Sequence, residues 1–123
     1  MSSLYNLLGP KLIEDIITEF YDRAFQDPII GHLFWNFDQD HLTKMQISFA
    51  KSMLGGSEKY EGQPLESAHK NLNLNQAHFG RRQVLMKDVL DEYKVDNDIR
   101  IQWLVREEKL RPLIVNSSRT CQS

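Results

Sequence analysis

Cysteine is nearly absent: the 123-residue chain has one, Cys121, in a polar tail reading VNSSRTCQS. A lone thiol has no partner within the chain, so no disulfide framework is expected, and a thiol nucleophile in such a tail is disfavoured. A surplus of one charge sign is missing too. The 15 Lys and Arg stand against 17 Asp and Glu, giving a formal charge of -2 and a pI near 6.1. That balance provides no cationic face for a phosphate backbone or an anionic lipid surface, so neither nucleic acid nor a membrane is an expected partner. No apolar run approaches the roughly 20 residues that span a bilayer. The opening MSSLYNLLGP has neither the basic start nor the apolar centre of a signal peptide, and the expected location is cytoplasmic. Repeats, low-complexity tracts and linkers are likewise lacking, and no segment alternates with a period of two. What is present is ordinary globular composition, 41% hydrophobic and 26% charged, in a chain long enough for a single core. One domain over residues 1–116 and a polar tail over 117–123 are expected.

The apolar residues repeat at three and four, which predicts an all-α chain. Ser3 can cap a short helix carrying Leu4, Leu7 and Leu8 that ends at Gly9. Pro10 suits the first turn of a long second helix bearing Leu12, Ile13, Ile16, Ile17, Phe20, Tyr21, Ala24 and Phe25. Asp27 and Pro28 predict a helix of about two turns before the aromatic elbow FWNFD. Asp38 begins a helix with Leu42, Met45, Gln46, Phe49 and Met53 on one side, stopped by Gly55-Gly56. A short helix over 64–70 carries Leu65, Ala68 and His69. Asn75 can cap a helix to about Tyr93 with Phe79, Met86, Val89, Leu90 and Tyr93 inward. Asp96 or Asn97 starts a final helix through Trp103, Leu104 and Leu110 that Pro112 is expected to kink.

Polar residues on apolar faces are where chemistry is to be sought. The histidines, His32, His41, His69 and His78, contain no pair at i, i+4 with the intervening glutamate of a helical zinc site. Glu66 and His69 have the i, i+3 spacing of a di-iron bundle motif, but the second copy that chemistry needs is missing. By spacing alone His69 is more often a satisfied boundary residue than a metal ligand, and His78 reads as a first-turn structural residue. Tyr21 and Gln46 each stand among apolar neighbours, where an unpartnered polar group costs on the order of 1–3 kcal/mol. Each therefore needs either a structural hydrogen bond or a polar ligand in an apolar cavity. The aromatic residues from Phe20 to Phe49 read as core, with a flat cofactor as the alternative.

Taken in order, several stretches resemble the truncated, two-over-two haemoglobins of the first group. They are LYNLLG, FYDRAFQDPIIGHLF with its Phe-Tyr pair, the elbow Phe34, LGGSEKYEGQPLESAHKNL, and the HF opening the next helix. The likeness spans about residues 4 to 115 and implies a two-over-two globin-like helical sandwich around a haem. It also implies that His69 is the proximal iron ligand, approaching from a short helix fixed by Pro64, whereas His78 keeps its structural role. One axial histidine leaves the sixth position open to oxygen, nitric oxide and carbon monoxide.

Carried over by position, Tyr21 and Gln46 take the places of the distal donors, and Leu42 stands where many other globins have a distal histidine. Two charge-assisted bonds of roughly 1.5–3 kcal/mol each to an oxygen ligand with partial negative charge would slow its release by a factor of at least about 10². Phe34 would pack on the haem face, with Phe49, Leu65, Phe79 and Met86 around the ring, and Lys44, Tyr60 and Lys70 would meet the propionates. There are departures from the family pattern. Gly9-Pro10 replaces the usual Gly-Gly. Met45 holds a position where a basic propionate partner, or a histidine that ligates iron, is found. Ala50 is small where some members place a tunnel gate. No histidine follows His78, so non-covalent haem b is expected.

The resemblance implies a protein that binds oxygen tightly, with conversion of nitric oxide to nitrate as the reaction open to it. The chain has no Gly-rich dinucleotide motif, so turnover would need a separate electron-donating reductase. Oxygen storage, scavenging or sensing without turnover shares the same residues. A cofactor-free helical interaction protein would require His69 to be coincidental.

Overall fold

The computed structural model describes residues 3–56 and 75–114. Tyr60, Leu65, His69 and Lys70, the helix expected over 64–70 and Cys121 lie outside the described residues. Among the described residues there are helices and no strand. Ser3 caps α1, Leu4–Leu8, by accepting the Asn6 N–H at 3.1 Å. Gly9, at φ 86, then turns the chain into α2, Pro10–Gln26, with the proline in its first turn.

α2 is the hub of the fold. Its buried residues Ile13, Ile16, Ile17, Phe20, Tyr21 and Ala24 lie at alternating steps of three and one, which forms one broad apolar stripe. Against α2 pack α1, a 3-10 turn at Gly31–Phe34, α3 (Gln39–Met53) and α4 (Gln76–Glu92). Asp38 caps α3 through the His41 N–H at 3.2 Å. α4 opens with a reciprocal cap: the His78 N–H donates to Asn75 Oδ1 at 2.8 Å, and the Asn75 N–H donates to His78 Nδ1 at 3.3 Å. His78 therefore has the first-turn structural role expected of it. α5, Asn97–Glu108, packs on α4, and α6, Arg111–Ile114, follows. α5 delivers Trp103, wholly enclosed, to the core. Across the molecule, the Arg106 guanidinium donates to the Met53 carbonyl at the end of α3 at 2.9 Å.

Three local expectations are corrected. The stretch after Asp27 is a tight turn followed by one 3-10 turn, not two turns of α-helix. The Asp27 carboxylate accepts the N–H groups of Ile29 and Ile30 at 3.0 and 3.1 Å, and the Gly31 N–H closes on the Asp27 carbonyl at 2.8 Å. Tyr93 is not inward: it is the C-cap of α4 and half exposed, because the helical register no longer steers a residue where the helix stops. Pro112 does not kink a continuous helix. α5 ends at Glu108, the Leu110 N–H closes a tighter turn on the Glu107 carbonyl at 2.9 Å, and Pro112 sits in the first turn of α6, where its missing N–H costs nothing.

Gly31 is required for closeness: a Cβ there would lie 2.8 Å from the Phe25 carbonyl oxygen, which cannot swing aside as a side chain could. Gly31→Ala is expected to cost about 1–3 kcal/mol in urea melts by forcing the turn away from α2.

Asp27 also ties this turn to α4. Its carboxylate receives Arg81 Nη2 at 2.6 Å and Nε at 3.0 Å, while the acid side chain is only 3% exposed. The Arg81 fork holds the acid below the usual carboxylate range; burial opposes it, and the Ile30 and Ile29 N–H groups add to it. Because the folded value is depressed, this stabilisation is present above the unfolded value of about 4 and is lost as pH falls through the folded one. Asp27→Asn is expected to cost about 1.5–3 kcal/mol at neutral pH and to flatten the acid limb of stability measured by urea melts between about pH 5 and pH 2.

Candidate functional site

α3 and α4 both pack on α2, and among the described residues side chains of all three line one cleft. Within it lies a cavity of about 40 Å³. A water needs on the order of 10–15 Å³ on this measure, so the space suits a ligand of two or three atoms. Its walls are mostly apolar: Ile17 from α2, Phe49, Ala50 and Met53 from α3, Phe79 from α4, and Leu110. Tyr21, Gln46, Arg82 and Glu107 bring the polar atoms.

The polar groups form a chain anchored in the core. Arg82 Nη1 donates to Glu107 Oε1 at 2.9 Å, and the Trp103 indole N–H donates to Glu107 Oε2 at 2.9 Å. Glu107 is 4% exposed, so this ion pair is shielded from water on the acid side. The Tyr21 oxygen lies near enough to favour the Arg82 charge. Burial works against the guanidinium charge, and the Glu107 carboxylate followed by the Tyr21 oxygen outweighs it, leaving Arg82 above its ordinary value. The guanidinium carbon stands 4.9 Å from the centre of the Phe20 ring and 6.0 Å from that of Phe79, a cation held over aromatic faces.

The residues singled out in the sequence fall into distinct places. Tyr21, Gln46, Phe49 and Phe79 meet around the one cavity, and Ala50 stands beside them. Phe34, partly buried at the elbow, stacks on Phe25 with ring centres 5.0 Å apart and meets Tyr21 edge-on at 6.0 Å, so it braces the tyrosine. Leu42 and Met45 are partly buried on α3, and Lys44 is exposed. Met86 is enclosed in the core and is not among the cavity walls. The proximal candidate, His69, lies outside the described residues, as do Leu65 and Tyr60.

Sequence reasoning missed Arg82, Glu107 and Trp103 as site residues. A signal was present: Arg82 falls three residues after Phe79 and four before Met86, on the inward stripe of its helix, and Glu107 falls four after Trp103. The question asked of Tyr21 and Gln46, where a polar group on an apolar face finds its partner, applies to Arg82 with greater force, because a buried charge costs more than a buried amide.

Whether a haem fits is tested by the cleft itself. On α3, Leu42, Met45, Phe49 and Met53 are each only partly covered, although they share an apolar stripe. Across from them Phe79 is fully buried on α4. Two apolar walls held apart by α2, with hydrogen-bond donors converging at one end, match a flat apolar group whose small ligand needs polar contacts. On the described side, the residues fit.

Comparison with known proteins agrees with this arrangement. The family model described as "Bacterial-like globin" matches residues 3–115. The group 1 truncated haemoglobin of Tetrahymena pyriformis is 36% identical over 78 residues, an alignment covering 63% of this chain and 64% of that protein, slightly under two thirds of its length. The group 1 truncated haemoglobin of Synechocystis sp. is 34% identical over 104 residues, 80% of this chain and 84% of that one. Among solved structures, the ferric truncated haemoglobin of Tetrahymena pyriformis superposes with a TM-score of 0.88 at 28% identity, covering 94% of this chain and 99% of that one. With the family model spanning nearly the whole chain and the helices superposing so closely, the protein belongs to the bacterial-like globin family and has the two-over-two fold of the truncated haemoglobins.

Proposed function

We propose that this chain is a haem protein that binds oxygen tightly and converts nitric oxide to nitrate. Membership of a globin family implies a haem cofactor and a diatomic gas such as oxygen as ligand. The observation that carries the proposal is the convergence of Tyr21, Gln46 and Arg82 on a cavity sized for two or three atoms in an otherwise apolar cleft. Phe49 and Phe79, with Leu42, Met45 and Phe34, would hold a non-covalent haem b. His69, through the resemblance of its position, would be the proximal ligand, with Leu65 and Met86 near the ring and Lys44 and Tyr60 toward the propionates. No helix among the described residues is long and apolar enough to cross a membrane, and cytoplasmic placement is part of the proposal.

A haem held there would supply a ferrous iron site for a diatomic gas and the one electron that combining oxygen with nitric oxide into nitrate requires. The chain's own residues then have defined tasks. Tyr21 donates its hydroxyl proton to a ligand that takes up negative charge, and the Gln46 amide donates beside it. Phe34 holds the tyrosine ring, and the apolar walls exclude water, which strengthens every such bond. The electron lost in each turnover has to be restored from outside, which implies a reductase as partner.

Stopped-flow mixing of the oxygenated, hemin-loaded protein with nitric oxide tests the proposal. Conversion to the ferric spectrum with one nitrate formed per haem is the expected result. An oxygenated spectrum that persists would remove the reaction and leave oxygen storage, scavenging or sensing.

A further inference from the structure

Among the described residues Arg82 is the one cation lining the cavity beside Tyr21 and Gln46, and the tyrosine–glutamine pair does not account for it. We infer that Arg82 is the residue that makes this pocket prefer anionic ligands, with Glu107 and Trp103 acting as positioning residues that hold its guanidinium at the cavity. The inference deepens the proposed haem function and rests on that reading for the identity of the ligand site.

The geometry separates the donors from the acceptors. Glu107 would repel an anion if its oxygens faced the cavity unengaged, but Oε1 is taken by Arg82 and Oε2 by the Trp103 indole, each at 2.9 Å. Arg82 has five N–H groups in a rigid fork. Among the described residues Glu107 engages Nη1, and the rest of the side chain lines the cavity. The carboxylate therefore fixes the cation at the edge of the space a ligand would take. Position is fixed further by the Phe20 ring, over which the guanidinium sits at 4.9 Å. A neutral diatomic draws little from such a group. An anion of two or three atoms, or a ligand that becomes anionic on binding, gains a charge-assisted bond in a site shielded from water.

The test uses the hemin-loaded ferric protein titrated with azide and with fluoride, and the ferrous protein titrated with carbon monoxide as the neutral control. Arg82→Met is expected to weaken azide and fluoride by about 10- to 100-fold, with carbon monoxide affinity changed by less than about threefold. Arg82→Lys should recover part of the loss. Because removing Arg82 strands Glu107, the paired variant Arg82→Met with Glu107→Leu is measured alongside and should show the same anion-selective loss. Equal weakening of anions and carbon monoxide in both variants would reduce Arg82 to a structural role and overturn the inference, as would unchanged azide affinity. A second measurement does not depend on haem: azide titrated into the apoprotein should shift the Arg82 guanidinium NMR signals in the wild type. If the wild type takes up no hemin, the haem reading fails by itself, and the azide titration of the apoprotein still decides the role of Arg82, with absence of a shift overturning it.

Discussion

Glu107→Ala is expected to lower the stability of the apoprotein by about 3–5 kcal/mol, the range for removing one member of a buried ion pair. The reason is what remains behind. Arg82 loses its counter-ion within a largely enclosed cleft, and the Trp103 indole N–H, on a wholly buried ring, loses its acceptor. Glu107→Gln keeps an acceptor for one of these donors but gives up the charge, and should cost less, about 1.5–3 kcal/mol. Exchanging both partners for apolar residues, Arg82→Met with Glu107→Leu, removes the desolvation cost along with the attraction and should lie within about 1–2 kcal/mol of the wild type. Urea melts of the three variants at one ionic strength read all of this directly. A Glu107→Ala cost under about 1 kcal/mol would mean that water reaches the pair in solution.

Tyr21→Phe is expected to speed oxygen release from the hemin-loaded ferrous protein by roughly 10- to 100-fold, the value of one charge-assisted bond of about 1.5–3 kcal/mol. The ring stays in place because its edge contacts with Phe20 and Phe34, at 4.8 and 6.0 Å, need no hydroxyl. Adding Gln46→Leu should bring the total to a factor on the order of 10²–10⁴. Release of carbon monoxide, which takes up less charge, should change little. Stopped-flow displacement of oxygen by carbon monoxide measures the rate. Equal acceleration of both gases would show that the substitution opened the pocket rather than removed a donor. The phenylalanine also removes an oxygen that favours the Arg82 charge, so part of any effect on anionic ligands passes through the cation.

Much of this was legible in the sequence where the determining contacts are local. Ser3, Asp38, Asn75 and Asp96 each cap the helix expected of them, because a cap is decided within three residues. Tyr21 and Gln46 stood out as polar residues on apolar stripes, and they meet at one cavity. The failures are contacts between distant parts of the chain. The turn after Asp27 depends on a carboxylate shared with Arg81, 54 residues on, and the Arg82–Glu107 pair joins residues 25 apart. Helical periodicity carries no information about such pairings. The assignment of His69 came from the family resemblance, since one histidine on a short apolar segment has no spacing of its own to declare it a ligand.

The central position of α2 has a consequence for when the pocket can change. Tyr21 sits on the helix against which α1, α3, α4 and the 3-10 turn all pack, so its backbone cannot loosen without releasing every layer at once. Segments of that kind open only with the whole molecule. Hydrogen exchange at the α2 amides should therefore report the global unfolding free energy. The orientation of the tyrosine hydroxyl is thus set by the same cooperative transition that holds the protein together, and the donor geometry should persist with little drift on heating until the protein melts.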